Sequence, residues 1–278
     1  MTVVSQWLET WLVLTLGDLP RLLTISALFL VFGTLEILLP AERGHTWGGR
    51  LRNVSFTLIL VIFGIALTSI VVMVFDLSPR RYEPGGPLQT GLVVVAHLAV
   101  FDLLFYWYHR AQHSWRWFWP VHELHHADAE LNVTTGMRSY FLEYPLQTLL
   151  ITMPTAWVVG IDPGASLIIP VVMVTWLYFA HANLRLHLGS FSPVVCGPQV
   201  HRIHHSREKL HRDKNFAQFF PIYDVIFGTW YAPAREEFPR TGTVTMASDA
   251  PVGEVVGRPL RVWGRAVAAR LAGWRRQG

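Results

Sequence analysis

Three short stretches of this chain concentrate side chains that bind metal. His109-Arg-Ala-Gln-His113 sets two imidazoles four residues apart, and His122-Glu-Leu-His125-His126 and His201-Arg-Ile-His204-His205 repeat one pattern, HxxHH, 79 residues apart. On a helix, positions i, i+3 and i+4 lie on one face, so each stretch can aim two or three imidazoles at a common point. Together they offer eight histidines, enough for two metal ions at about four ligands each. A lone histidine such as His45 is ordinarily a surface or hydrogen-bonded core residue. Eight in three helical patterns have no structural use of that kind. The ligand type suits iron, zinc, copper or nickel. Cys196 is the only cysteine, which excludes an intrachain disulfide and an iron–sulfur cluster held by thiolates of this chain.

Two other metal chemistries compete for the same letters. His122-Glu123-Leu124-His125-His126 satisfies HExxH, the zinc-peptidase pattern in which the glutamate is the base. That reading leaves His109, His113 and the whole third stretch without a role, and the third stretch has Arg202 where the base belongs. Glu123–His126 and Glu208–His211 match the ExxH of carboxylate di-iron bundles. Neither lies in a long amphipathic helix, and most of the clustered histidines would be left over.

The elements that must position these residues are apolar. Hydrophobic residues make up 51% of the 278-residue chain and charged residues 15%, with a mean hydropathy of +0.32; soluble proteins carry roughly 25% charged residues. Runs at Leu22–Leu39, Val54–Phe75 and Leu92–Tyr108 approach the ~20 residues that cross a bilayer. A pair at Leu146–Ile161 and Ala165–Ala180, joined by Asp162-Pro163-Gly164, fits a tight hairpin dipping through most of it. His97 and Asp102 interrupt the third run, and polar groups at membrane depth commonly have a function.

The expected fold is an all-α integral membrane protein, a single domain over residues 1–278, with about four to five membrane helices and a cytoplasmic helical cap carrying the metal site. If the arginine-bearing loop with Arg43, Arg50 and Arg52 is cytoplasmic, counting the crossings puts all three histidine stretches on that same face and the Arg80-Arg81 pair outside. Trp7, Trp11 and Leu12 read as an interfacial segment, not a cleaved leader. Arg261–Arg276 reads as a basic amphipathic helix on the membrane surface or an ordinary solvent-facing one. The net charge is +4 and the basic residues are nearly all arginine; that balance suits anionic headgroups, and the arginine-for-lysine bias points to a bacterial genome and so to a bacterial inner membrane. No clustered basic face with interleaved aromatics points to nucleic acid.

These residues sit within a wider resemblance. From about Glu36 to Trp230 the chain resembles the membrane fatty acid hydroxylase/sterol desaturase superfamily. The marks are Asp102 with Tyr106-Trp107-Tyr108-His109-Arg110 leading into His113; His122, His125 and His126; Arg138 and Glu143; and His181-Ala182-Asn183. They continue with His201-Arg202-Ile203-His204-His205-Ser206, Asp213-Lys214-Asn215-Phe216 and Asp224-Val225-Ile226-Phe227-Gly228-Thr229. The chain departs from the family in having Tyr140 where a histidine usually follows the arginine by two residues, and Ala217 where glycine is favoured. The resemblance implies a non-haem di-iron centre with His181 as a ninth ligand and His187 as a candidate for one more. Asp102, two helical turns before His109, and Asp224 are candidates to accept the second N–H of a metal-bound imidazole, and Glu143 is a candidate for either role.

A neutral all-histidine shell leaves an iron pair cationic and open to dioxygen, and such a pair can oxidise an unactivated methylene, which no side chain does alone. The implied activity is hydroxylation of a C–H bond in a membrane lipid: a sterol, acyl chain, sphingoid or ether lipid. Desaturation on the same site is the alternative, and a metal-storing membrane protein would hold the same ligands without turnover. With no Gly-rich dinucleotide fingerprint and no cysteine set, electrons must come from a separate ferredoxin, cytochrome or reductase. Arg202, Arg207 and Lys209 offer a basic face on which an acidic carrier would dock. Trp115, Trp117, Phe118 and Trp119 read as an aromatic collar at the interface.

Overall fold

The computed structural model describes residues 19–75, 83, 86–160 and 163–274. Trp7, Trp11, Leu12, the Arg80-Arg81 pair, Asp162 and the arginines at 275 and 276 lie outside them. Among the described residues there is no strand, only isolated bridges at Pro40–Leu184 and Ser206–Thr241. In chain order the helices are α1 (Leu19–Leu38), α2 (Trp47–Phe75), α3 (Pro87–Ser114), α4 (Trp119–His126), α5 (Glu143–Gln147) and α6 (Met153–Val159). They continue with α7 (Pro163–His181), α8 (Pro198–His204), α9 (Ile222–Ile226) and α10 (Val252–Trp274). Three of them, α2, α3 and α7, are long and apolar enough to cross a membrane, where sequence reasoning expects four to five.

The shortfall has local causes. The apolar part of α1 covers only Leu23–Leu38. The first limb of the expected hairpin is not one α-helix: a π turn at Thr148–Thr152 separates α5 from α6. Pro145 and Pro154 each withdraw a backbone donor there, which favours such a break in register. The arginine-bearing loop is also shorter than expected, because Arg50 and Arg52 lie in the first turns of α2. Thr46 starts that helix by accepting the Gly49 N–H on its hydroxyl at 2.9 Å, as N-cap threonines do, and Arg50 pairs with Glu36 of α1.

Helix α3 begins on Pro87, whose missing N–H costs nothing in a first turn, and runs 28 residues. That is about 42 Å, longer than the ~30 Å hydrocarbon core, so its last turns have room to carry His109 and His113 beyond the bilayer. It packs between α6 and α7, while α1 lies on α7 and α2 on α5. Phe101, Tyr108, Ile151 and Phe219 form one core cluster, and Phe56, Leu60, Val121, Leu124 and Val255 another. Ile62, Phe63, Ile70 and Met73 of α2 and Leu88, Leu92 and Val95 of α3 face outward. A continuous apolar exterior of this kind is what hydrocarbon covers.

The C-terminal amphipathic stretch is a longer helix than its arginines suggest, and its first half is part of the core. Val255 is buried against α4 and its neighbours, Trp263 donates its indole N–H to Trp117 O at 2.9 Å, and Arg258 is paired with Glu123 at 2.5 Å. Val267 and Leu271, further along, are exposed.

Candidate metal centre

Two short helices and the ends of two long ones converge at one end of the bundle of long apolar helices. α4 and α8 both start at a proline in their first turn, Pro120 and Pro198, which fixes where each HxxHH begins its turn. α3 contributes His109 and His113 from its last turns, and α7 ends on His181. The nine rings form two groups whose candidate ligand atoms all lie within 4.8 Å of one another: His109, His113, His122, His126 and His204 in one, and His125, His181, His201 and His205 in the other. Each HxxHH divides between them. The i, i+4 pairs His122/His126 and His201/His205 stay together, while His125 and His204 cross to the opposite group. His126 and His205 stack where the groups meet, with centroids 4.3 Å apart.

The donor set fits metal for a reason internal to the geometry. Five rings have Nδ1 occupied: His109 on Phe216 O at 2.8 Å, His122 on Glu143 Oε1 at 3.0 Å, His125 on Arg138 O at 3.3 Å, His181 on Leu177 O at 2.8 Å and His204 on Lys214 O at 2.9 Å. With the ring proton on Nδ1, the Nε2 lone pair is left bare. The Nε2 atoms of all nine rings face one another, with two such bare lone pairs meeting in the His109–His122 and His125–His181 contacts: in the first group Nε2 to Nε2 is 3.0 Å for His109–His122, 3.1 Å for His122–His126, 3.2 Å for His113–His126 and 3.1 Å for His126–His204. In the second group it is 3.2 Å for His125–His181, 2.9 Å for His181–His201 and 3.1 Å for His201–His205. Two ligands at right angles, each about 2.1 Å from a shared centre, stand about 3 Å apart. Facing acceptors repel, and a cation at each focus turns that repulsion into coordination. Burial holds His122, His125, His126, His201, His204 and His205 well below the ordinary imidazole range, in the neutral form that ligates.

The carboxylates around the rings divide by role. Glu143 touches a candidate ligand: besides His122 it accepts the Tyr108 hydroxyl at 2.9 Å and the Gln112 amide at 2.8 Å. Burial raises it to about 7, against the pull of those donors. Asp102 and Asp224 are bonded to no imidazole among the described residues, contrary to the expectation from spacing. Asp102 accepts the backbone N–H groups of Gln218, Phe219 and Phe220 at 2.7, 3.1 and 2.6 Å. Asp224 accepts those of Phe216 and Ala217 at 2.7 and 2.9 Å. Both therefore hold the loop whose carbonyls at Lys214 and Phe216 orient His204 and His109. The loop turns sharply, with Asp213 and Asn215 at φ of 58° and 57°, a region that Asp and Asn tolerate better than most residues.

Other expectations resolve by position. His187 stands outside both groups, bonded to Gln199 Oε1 at 2.6 Å. His45 contacts Asn183 at 3.3 Å, and His97 stacks on Phe101 without reaching the rings. Tyr140, at the family's histidine position, turns to the C-terminal helix and donates to Val256 O at 2.8 Å. Glu123 faces away from the metal groups, held by Arg258 and by Thr245 Oγ1 at 2.5 Å, so it has no reach as a base at a metal-bound water. Of the ExxH pair near the third stretch, His211 is spent on Ser206 and Glu237. Arg202 is buried on Glu42, Asn183 and Pro239 O, so it belongs to the scaffold and not to a docking face.

Sequence reasoning gave no role to Gly136, Asp213 or the Tyr108/Gln112 pair, although Asp213 and Tyr108 stand among the marks of the family resemblance. A Cβ on Gly136 would sit 2.9 Å from Leu177 and 3.2 Å from His181 Nδ1, so the glycine lets α7 deliver His181. Asp213 lies 3.7 Å from His113 Nδ1. Tyr108 and Gln112 had a signal, an i, i+4 pair beside His109 and His113.

The site separates two kinds of space. On one side a polar basin of about 340 Å³ reaches His113, His126 and His204 and is walled by Trp119, Arg207, Arg212 and Asp213. On the other an apolar cavity of about 270 Å³ reaches His109 and His122 of the first group and His125, His181 and His201 of the second. Phe101, Phe105, Met137, Met173 and Leu177 form much of its wall.

Residues 94–229 match the family model for fatty acid hydroxylase. The nine converging histidines all lie within that match, and over residues 94–229 the chain carries a domain of the fatty acid hydroxylase family. It is 31% identical to human alkylglycerol monooxygenase over 138 residues, 47% of this chain and 29% of that protein. It is 27% identical to ornithine lipid hydroxylase OlsE of Rhizobium tropici over 220 residues, 74% of this chain and 65% of that protein. A very-long-chain aldehyde decarbonylase of rice is 26% identical over 178 residues, 60% of this chain and 27% of that protein. The chain thus spans under a third of the alkylglycerol monooxygenases it matches. No solved structure matches it.

Proposed function

We propose that this protein hydroxylates an unactivated C–H bond of a membrane lipid, using two iron ions held by the nine histidines, dioxygen, and electrons from a separate carrier. The observation that carries the reading is the apolar cavity bordered by both histidine groups at once: a hydrocarbon bound there lies against both foci. Two relatives are named for oxygen insertion into lipids, an alkylglycerol monooxygenase and an ornithine lipid hydroxylase, which supports the same class. When bound, a reduced iron pair supplies dioxygen activation and removal of hydrogen from a methylene, chemistry that side chains lack.

The chain's own part is positioning and exclusion. Phe101, Phe105, Met173 and Leu177 present a dry wall that orders a hydrocarbon and keeps water from the reacting carbon. Glu143 fixes the ring of His122, with Tyr108 and Gln112 fixing Glu143 in turn. Asp102 and Asp224 act through the 214–220 backbone on His109 and His204. The polar basin gives the first group an aqueous side, and Arg207 and Arg212 in its wall suit an acidic one-electron carrier. The arginines at the start of α2 favour the cytoplasm for that side, consistent with a bacterial inner-membrane protein.

The test is direct. Protein purified anaerobically in detergent is assayed for metal identity and stoichiometry, then given reductant, oxygen-18 and a membrane lipid extract. A lipid alcohol carrying the label is expected. A loss of two hydrogens without label would make the reaction a desaturation, and iron-loaded protein that consumes oxygen without altering any lipid would defeat the proposal. Zinc-loaded protein that cleaves peptides would revive the HExxH reading, against the position of Glu123.

A further inference from the structure

Two apolar hollows meet at Tyr144. One is the cavity beneath the histidines. The other, about 380 Å³, lies between α2 and the π turn, lined by Ile65, Thr68, Val72, Met73, Tyr144 and Thr148. The hydroxyls of Thr68, Ser69 and Thr148 donate to their own helices, to Gly64 O, Ile65 O and Tyr144 O at 2.8, 3.0 and 2.8 Å. The groove therefore presents hydrocarbon. From Ile65 to Met73 it follows α2 for about 12 Å, on a helix whose Ile62, Phe63, Ile70 and Met73 face outward. In a bilayer the material against that flank is lipid chain.

Tyr144 borders both spaces, and the structure makes room for it. A Cβ on Gly64 would overlap the Tyr144 ring and come within 3.0 Å of Phe141 O, so the absence of a side chain at 64 gives the ring its seat against α2. No hydrogen bond anchors its hydroxyl among the described residues. The adjoining π turn is the kind of helical irregularity found where a helix flank is put to use.

Resting on the lipid-oxidation reading above, we propose that this junction is the lateral entry by which a lipid's hydrocarbon chain passes from the bilayer to the histidine centre. Tyr144 gates the passage and selects a single flexible chain over a fused ring system. A chain moving from groove to cavity exchanges one apolar surface for another, so no polar group is stripped of water on the way. A headgroup would lose its hydration, and it stays outside. A chain with free torsions bends around one side chain; a rigid ring system does not.

The full chain is reconstituted in phosphatidylcholine vesicles containing a phosphatidylcholine with a diazirine in one acyl chain, irradiated, and the labels are mapped by peptide mass spectrometry. Label is expected at Val72 or Met73 in the groove and at Met137 or Met173 in the cavity. Tyr144→Trp should keep the groove label and cut the cavity label about tenfold, the scale of overfilling a close-packed site, while Tyr144→Ala keeps or raises it. Metal content matching the parent protein shows that a variant is folded. Groove label with none in the cavity of the parent protein overturns the entry, as does cavity label unchanged in Tyr144→Trp. If Tyr144→Trp loses its metal, the parent map together with Tyr144→Ala decides. A diazirine sterol that labels the cavity as strongly as the acyl probe overturns the selectivity. Labelling needs no turnover, so expected labels without oxygen-18 in any lipid would keep the entry and lose the oxygenase reading. Oxygen-18 in lipid without cavity label would lose the entry alone.

Discussion

At the scale of the residue, the site depends on how each imidazole is aimed. His204 carries the most exposed part of that argument, because it crosses from α8 to the five-histidine group. We expect His204→Ala to lower iron content and abolish lipid turnover, and unchanged iron and activity would remove it from the site. Glu143→Gln keeps an acceptor for His122 but removes the charge and sets an amide N–H₂ among the Tyr108 and Gln112 donors. Losing such a support typically weakens metal binding about 10- to 100-fold, measurable by chelator competition. The buried imidazoles also set a pH limit. Their folded-state affinities for protons lie below the unfolded value of about 6.5, so the stability they contribute is present above that pH and lost as pH falls below it. Metal-free protein should therefore melt lower at pH 5.5 than at 7.5; equal melting would contradict the burial of the neutral rings.

At the scale of the element, backbone segments do the work that spacing assigns to carboxylates. Asp102 is two turns before His109, and from sequence that reads as a partner for the ring. Instead it gathers three N–H groups of the 218–220 segment, because a buried carboxylate is best satisfied by several donors at once. Asp102→Asn puts an amide among those donors and should cost about 1–3 kcal/mol, with loss of metal from the His109 group ahead of the other, read by metal content along a denaturation series. Gly136→Ala acts on the second group: its Cβ would press on Leu177 and His181. We expect metal stoichiometry to fall while the five-histidine group stays loaded, and full occupancy would show that α7 can yield.

At the scale of the molecule, the C-terminal helix is tied to α4 through the Arg258–Glu123 ion pair. Arg258 meets Glu123 at 2.5 and 2.7 Å, and the Glu123 side chain is only 2% exposed against 21% for Arg258. Arg258→Ala leaves that carboxylate buried and unpaired, at a cost of about 2 kcal/mol, below the range for fully buried pairs because Arg258 is partly hydrated. The double variant Glu123→Gln with Arg258→Ala should recover part of the loss in a thermodynamic cycle. Simple additivity would mean that the pair does not couple the helix to α4.

Much of this protein was legible in its letters. Helical class, apolar spans and eight of the nine histidines follow from local rules of period, composition and residue chemistry, since a 3.6-residue repeat puts i, i+3 and i+4 on one face wherever it occurs, whereas His181 followed only from the family resemblance. The partition of those histidines into groups of five and four was not. It depends on the angle at which α4 and α8 meet the ends of α3 and α7, and no spacing within one segment encodes an angle between two. The same holds for Arg202, which reads as a surface charge until Glu42 and Asn183 close over it, and for the limb broken at Thr148–Thr152, where length and hydropathy suggest one continuous helix. Sequence determined which groups exist and what each can do; tertiary packing decided which lone pairs face one another, because only the meeting of distant segments fixes direction.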